Sequence, residues 1–73
     1  MATKNKKFKK WLDRGFISVE RSIDIDEEER EEVDIFLTIC DGSNVVRLGA
    51  WGDKNVNNLI ATLRKAADTM EGK

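Results

Sequence analysis

Eight carboxylates stand within eleven residues near the middle of the chain and form its densest group of reactive side chains. Arg30 is the one cation among them. Such a cluster produces a negative field that attracts a basic surface on another molecule and can imitate nucleic-acid phosphates. The candidate partner-binding residues are Asp24, Asp26, Glu27, Glu28, Glu29, Glu31, Glu32 and Asp34.

The same carboxylates fit two other interpretations. The first is a solvated loop that keeps the protein soluble and protects a sheet edge from aggregation. The second is a metal site, since Asp24-x-Asp26-x-Glu28 is similar to the first half of a calcium-binding loop. Glu29 stands where such a loop requires glycine, and the spacing to a closing glutamate fails. We therefore predict no metal site.

A second candidate site combines the N-terminal lysines with aromatic residues of the strands. Cations bind phosphates and aromatic rings stack on unpaired bases, so this combination is typical of proteins that bind single-stranded nucleic acid. The nucleic-acid-binding residues of this alternative are Lys6, Lys7, Lys10, Arg47 and Trp51. A flexible, solubilising basic arm over residues 1–7 explains the lysines equally well. The aromatic residues could instead be covered by other parts of the protein or by a second subunit.

The composition excludes the common catalytic chemistries. The chain has no histidine and one cysteine, Cys40, so it lacks the imidazole that Ser-His-Asp and Cys-His catalysis need. A Cys/His zinc site cannot form within one such chain. Gly42, Gly49 and Gly52 match no phosphate-binding loop. We predict a protein that is not an enzyme and that uses no cofactor.

The length of 73 residues predicts a single domain over residues 1–73. A chain of this size buries only about 60% of the surface that its unfolded form exposes, so a monomer should be marginally stable. One cysteine cannot close an intramolecular disulfide, and we therefore expect a homodimer. The chain shows no signal-peptide pattern and no apolar run that could cross a bilayer, so we expect a cytoplasmic protein without membrane contact.

The net charge of −1 conceals three blocks of different charge. Residues 1–14 carry +5, residues 15–41 carry −8 and residues 42–73 carry +2. This segregation indicates charged partner surfaces, or contacts between an arm of one subunit and the acidic segment of another.

The elements that position these residues are predicted from apolar spacing. Phe8, Trp11 and Leu12 have helical spacing and predict a short helix near residues 4–14, ending before Gly15. From Phe16 onward the apolar period changes to two, which predicts strands. The predicted strands cover residues 16–25, 33–40 and 45–51, and a tight turn at Asp41-Gly42-Ser43-Asn44 joins the last two.

A long C-terminal helix completes the predicted fold. Apolar residues recur every three or four positions from Val56 to Met70, and Asp53 is the expected N-cap. The helix should lie over the sheet face that carries Ile17, Val19, Ile23, Ile35, Leu37 and Ile39. The fold class is thus predicted as α+β, a three-stranded antiparallel meander under one helix, with the order α-β-β-β-α.

Strands followed by one long helix resemble the single-stranded nucleic-acid binders of the Pur-alpha and transcriptional-cofactor type. Those proteins have four strands before the helix, whereas three are predicted here, and their binding face is basic, whereas the predicted face carries Arg47 alone. No motif residue of theirs is matched, so the resemblance implies an alternative function only. In size, charge segregation and lack of catalytic residues, the chain also resembles small phage-encoded accessory proteins that disable host factors.

Two function classes follow from these residues. The first is a small protein-binding regulator or inhibitor whose acidic segment occupies a basic surface of a partner. A nucleic-acid-binding protein would be one such partner, bound by charge mimicry of DNA. The alternative is a module that binds single-stranded nucleic acid through the basic arm and the aromatic sheet face. A structural subunit without a separate site is a third, less specific interpretation.

Overall fold

The computed structural model describes residues 4–73, with side chains from Asn5 onward. Four strands precede one helix: β1 (Lys4–Leu12), β2 (Gly15–Ile25), β3 (Glu31–Cys40), β4 (Val45–Trp51) and α1 (Asp53–Met70). The strands form one antiparallel sheet in the order β1-β2-β3-β4. The α+β class, the antiparallel pairing and the C-terminal helix are therefore confirmed, but the sheet has four strands and not the predicted three.

The predicted N-terminal helix is wrong, because residues 4–12 form the edge strand β1. β1 pairs with β2 over its whole length, from Lys4 opposite Ile23 to Leu12 opposite Gly15. Without this pairing, the backbone groups along one side of β2 would lack partners. An isolated helix of about eleven residues is only marginally stable in water, so the paired strand is favoured. The predicted arm over residues 1–7 lies partly outside the described residues, and residues 4–7 belong to β1.

Gly15 allows the first turn to close tightly against the neighbouring strand. A β-carbon at position 15 would overlap the Cys40 carbonyl oxygen, so only glycine fits there. The glycine therefore begins β2 and does not end a helix. Asp13 and Arg14 form the two-residue turn between β1 and β2.

The two other turns are closed by aspartate side chains. Asp41 Oδ1 accepts hydrogen bonds from the backbone N–H groups of Ser43 (2.9 Å) and Asn44 (2.7 Å), which confirms the predicted turn. In the β2–β3 turn, Asp26 Oδ1 accepts from the N–H groups of Glu28 and Arg30, both at 2.9 Å. Both turns place an aspartate at the end of a strand, where its carboxylate replaces missing backbone acceptors.

The helix α1 starts at Asp53 and turns back over one part of the sheet. The N-cap is Gly52, whose φ of 85° favours glycine, and no side chain caps the helix. The prediction of Asp53 as N-cap is therefore wrong by one position, because the chain must reverse sharply after β4. Asn55 Nδ2 donates to the Trp51 carbonyl at 2.8 Å and fastens the first turn of α1 to the end of β4.

The sheet has one face beneath the helix, here called the helix face. Leu37 and Ala50 are buried there against Val56 of α1. Within residues 4–73, α1 contacts β3 and β4 and does not reach β1 or β2, so it covers less of the sheet than predicted. By register, this face carries Lys6, Phe8, Lys10, Leu12, Ile17, Val19, Arg21, Ile23, Ile25, Glu31, Val33, Ile35, Leu37, Ile39, Val46, Leu48 and Ala50.

Candidate functional site

The opposite side of the sheet, here called the open face, has no helix over it. Its residues follow from the pairing register: Asn5, Lys7, Lys9, Trp11, Phe16, Ser18, Glu20, Ser22, Asp24, Glu32, Asp34, Phe36, Thr38, Cys40, Val45, Arg47, Gly49 and Trp51. This face brings together polar, cationic and aromatic side chains from all four strands. It is the candidate functional site.

A polar row crosses the middle of the open face. Lys9 lies opposite Ser18, Ser18 opposite Thr38, and Thr38 opposite Arg47. Neighbouring strands are about 4.8 Å apart, so the row is about 14 Å long. The two ends of the row carry positive charges and its centre carries two hydroxyl groups. Cationic side chains and hydroxyl groups both bind phosphate oxygens.

One aromatic pair lies beside this row, at the end of the sheet near the β1–β2 turn. Trp11 and Phe16 are opposite each other across β1 and β2, with ring centroids 5.0 Å apart and planes tilted by 59°. Lys9 Nζ lies 4.2 Å from the Phe16 centroid and 4.6 Å from the Trp11 centroid. These cation–π contacts hold the ammonium beside the rings. Trp11 remains 65% exposed, so much of its surface is accessible.

A second aromatic pair lies on the other side of the polar row. Phe36 and Trp51 form an edge-to-face pair with centroids 5.7 Å apart and planes at 87°. Trp51 folds back over Gly49, where a β-carbon would lie 2.5 Å from Cη2 of the indole. Phe36 is opposite Gly49 in the register, so the bare glycine gives the indole its place beside Phe36. Trp51 is 52% exposed.

The far end of the open face is acidic. Asp34 is buried between its cross-strand neighbours Ser22 and Trp51, and its Oδ1 atom has no hydrogen-bond partner. Burial raises the pKa of the Asp34 carboxyl above its ordinary value, and a hydrogen bond to Asp24 and the charges of Asp24 and Glu32 raise it further. The open face is therefore basic and aromatic toward the β1–β2 turn and acidic toward the β2–β3 turn, with Glu20, opposite Lys7 and Phe36, between the two parts.

The structure divides the predicted acidic site among several surfaces. Glu27, Glu28 and Glu29 occupy the exposed β2–β3 turn, whereas Asp26 is used within that turn. Arg30 pairs with Asp26 (3.2 Å) and with Glu28 (3.0 Å), which neutralises part of the cluster. The other four residues lie in strands: Asp24 and Glu32 on the open face, Glu31 paired with Ile25, and Asp34 buried.

The predicted basic site is also divided. Lys7, Arg47 and Trp51 lie on the open face, but Lys6 and Lys10 lie on the helix face. Sequence reasoning missed Lys9 and Trp11 as members of the open face. Their alternation with Lys7 at a period of two was the signal, and the helical interpretation of residues 4–14 concealed it.

Metal-ligand clusters and membrane-spanning helices are both absent from the described residues. Within residues 4–73, no three acidic or cysteine side chains are arranged to hold a metal ion. In the same range, no helix combines the length and apolar character needed to cross a membrane. Cys40 is a free, half-buried thiol whose Sγ accepts the Gly42 N–H at 3.4 Å.

The fold and the open face together define a small antiparallel α+β domain with one helix-covered and one helix-free sheet face. No protein-family model, curated protein or solved structure matches this chain.

Proposed function

We propose that this protein binds single-stranded nucleic acid on the basic, aromatic half of its open face. The observation that carries the proposal is the polar row from Lys9 to Arg47, which lies between the Trp11–Phe16 pair and the Phe36–Trp51 pair. Phosphates would lie along the row, and bases would stack on the rings at either side.

The spacing supports this arrangement. Residues on one face of a strand repeat about every 6.7 Å, so Trp11, Phe16 and Phe36 are rooted roughly that far from the row. Trp51 is four residues from Arg47 and is rooted about twice as far away, but its ring folds back over Gly49 toward the row. The exposed rings suit unpaired bases, since the bases of a duplex already stack on each other. The acidic half, with Asp24 and Glu32, would repel phosphates and confine the strand to the basic half.

Tryptophan fluorescence tests the proposal directly. Titration with short single-stranded oligonucleotides should quench the emission of Trp11 and Trp51, because both indoles would stack on bases. Lys9→Gln should weaken binding, since it removes one end of the row and the cation beside the rings. Lys10→Gln is the matched control, because it removes the same charge from the adjacent residue on the helix face. The mass in solution should be measured for both variants.

The result expected is at least a fivefold larger loss of affinity for Lys9→Gln than for Lys10→Gln. Equal losses would mean that only the net charge of β1 matters, and the open face would then not be the binding surface. Absence of quenching at low salt would remove the proposal altogether.

The acidic turn supports a second candidate function, the protein-binding regulator predicted from the sequence. Glu27 and Glu29 are exposed at the tip of the β2–β3 turn and have no ion pair among the described residues. They would meet a basic protein surface, and binding should weaken with added salt. Replacing Glu27, Glu28 and Glu29 by Gln should abolish capture of a basic partner, whereas Glu71→Gln on the helix should not. Unchanged capture by the triple variant would exclude this function.

A further inference from the structure

The chain exposes far more surface than a compact monomer of its mass. Its accessible area is 6251 Å², whereas folded monomers of 8.3 kDa expose about 4,600 Å². Its radius of gyration is 14.3 Å, against about 11 Å for a compact domain of this length. The hydrophobic core is correspondingly small, since Leu37, Ala50 and Val56 are the only buried apolar residues among those described.

Part of this excess lies on the β1–β2 half of the helix face. Phe8, Val19, Leu37 and Leu48 form an apolar row across all four strands. The helix lies over this row only at β3 and β4, where Leu37 is buried but Leu48 is still 49% exposed, and Phe8 at the far end is 60% exposed. An apolar row of this length without a cover is unusual in a monomeric protein.

A second part of this excess lies on the second half of α1. Ile60, Leu63 and Met70 repeat at positions i, i+3 and i+10 and continue the apolar stripe that begins at the buried Val56. Leu63 is 42% exposed and Met70 is 83% exposed, because the sheet does not extend beneath them. The same molecule thus carries an uncovered half of a sheet and an uncovered half of a helix.

The β1 edge and the C-terminal end of α1 carry opposite local charges, although Arg64 and Lys65 also lie on the second half of the helix. Lys6 and Lys10 alternate with Phe8 on the helix face of β1. The last turn of α1 contains no basic residue and is followed by Glu71, so the helix ends with a carboxylate and the negative pole of its dipole. Glu71 has one ion pair within the chain, to Lys73 at 2.9 Å, and both groups are exposed.

We infer that a second copy of this chain covers both surfaces in a two-fold symmetric dimer, the distal half of α1 of each protomer lying on the β1–β2 half of the other's helix face. A two-fold axis makes the contact reciprocal, so the uncovered half of α1 in each protomer lies on the uncovered half of the sheet in the other. The excess area is about 1,650 Å² per chain, or about 3,300 Å² for two copies, and a contact that buries most of it falls within the range of obligate homodimers. The inference concerns the helix face and is independent of the proposed function of the open face.

The mass of the protein in solution tests this inference, measured by light scattering after size exclusion. The wild-type chain should have twice the 8.3 kDa of one chain. Leu63→Lys should give the monomer mass, because it places a charge at the centre of the apolar stripe. Thr69→Lys is the matched control on the opposite side of the helix and should leave the dimer intact. Far-UV circular dichroism should show that both variants keep the fold.

A charge exchange tests the reciprocal geometry. Lys6→Glu and Glu71→Lys should each raise the dimer dissociation constant about two- to fivefold, as expected for exposed ion pairs, and the double variant should restore it. A monomeric wild-type protein would overturn the inference, and so would a Leu63→Lys variant that stays dimeric. Dissociation by Thr69→Lys but not by Leu63→Lys would place the contact on another side of α1 and would also overturn it.

Discussion

The indole of Trp51 lies over the backbone of Gly49, two residues earlier on the same strand. A β-carbon at position 49 would come within 2.5 Å of Cη2 and 2.9 Å of Cζ3 of that ring. Because the ring edge also meets Phe36, this one glycine determines how the second aromatic pair is presented on the open face.

Gly49→Ala should therefore displace the indole of Trp51 without breaking β4, since alanine can adopt a strand conformation. In a Trp11→Phe background Trp51 is the only tryptophan, and its emission should shift to longer wavelength as the ring leaves Phe36. Affinity for single-stranded oligonucleotides should fall about tenfold, given the energy of one base-stacking contact. An unchanged emission spectrum with unchanged affinity would contradict the placement of this ring.

The salt dependence of oligonucleotide binding should reflect the three cations of the open face, Lys7, Lys9 and Arg47. Each phosphate contact contributes about −0.7 to the slope of log K against log salt for single strands, so the slope should be about −2. Arg47→Gln should reduce its magnitude by about 0.7, measured by titration at several salt concentrations. Lys65→Gln on the exposed helix surface should not change it. A slope near zero would show that phosphates are not bound.

Asp34 should make the protein less stable as the pH rises. Its pKa is raised in the folded state by burial and by Asp24, so the folded protein binds more protons than the unfolded chain. The contribution of Asp34 to the free energy of unfolding is therefore fully present below its unfolded pKa of about 4. This contribution is lost as the pH rises from there through the raised folded pKa.

Asp34→Asn should remove this loss, because the amide carries no charge and can donate a hydrogen bond to Asp24. We expect the variant to raise the melting temperature by a few degrees at pH 7 and to have little effect at pH 3.5. Thermal unfolding followed by circular dichroism at the two pH values measures the difference. A decrease in melting temperature at pH 7 would show that the charged form is stabilised and would contradict this assignment.

Gly15→Ala should unfold the protein or separate β2 from β3. The added methyl group would overlap the Cys40 carbonyl oxygen, and this contact is with backbone, which cannot rotate away. Urea denaturation should show a large loss of the free energy of unfolding. Ser43→Ala in the adjacent turn is the control and should behave like the wild type, because only its backbone N–H contributes to the turn. A stable Gly15→Ala variant would mean that β2 and β3 are farther apart at this point.

Three apolar residues, Phe8, Trp11 and Leu12, are too few to distinguish a helical period from an alternating one. In the fold, Phe8 and Leu12 lie on one face of β1 and Trp11 lies on the other. The same three residues are therefore compatible with a helix and with a strand. Residues 4–12 form a strand because they pair with the otherwise open edge of β2. That edge lies elsewhere in the chain, so the spacing of the local apolar residues does not reveal it. The same error concealed Lys9 and Trp11 as members of the open face.

The amino-acid sequence by itself determined the elements with a long, regular period. The alternation from Phe16 to Trp51 and the helical stripe from Val56 to Met70 specify strands and a helix locally, and Asp41 with Gly42 specifies the turn between β3 and β4. Only the tertiary structure decided which charges share a surface. Pairing places neighbours such as Lys9 and Lys10 on opposite faces, and it separates the eight carboxylates of residues 24–34 into a turn, two faces and a buried site. The reason is that the direction of each side chain depends on strand register and not on distance along the chain.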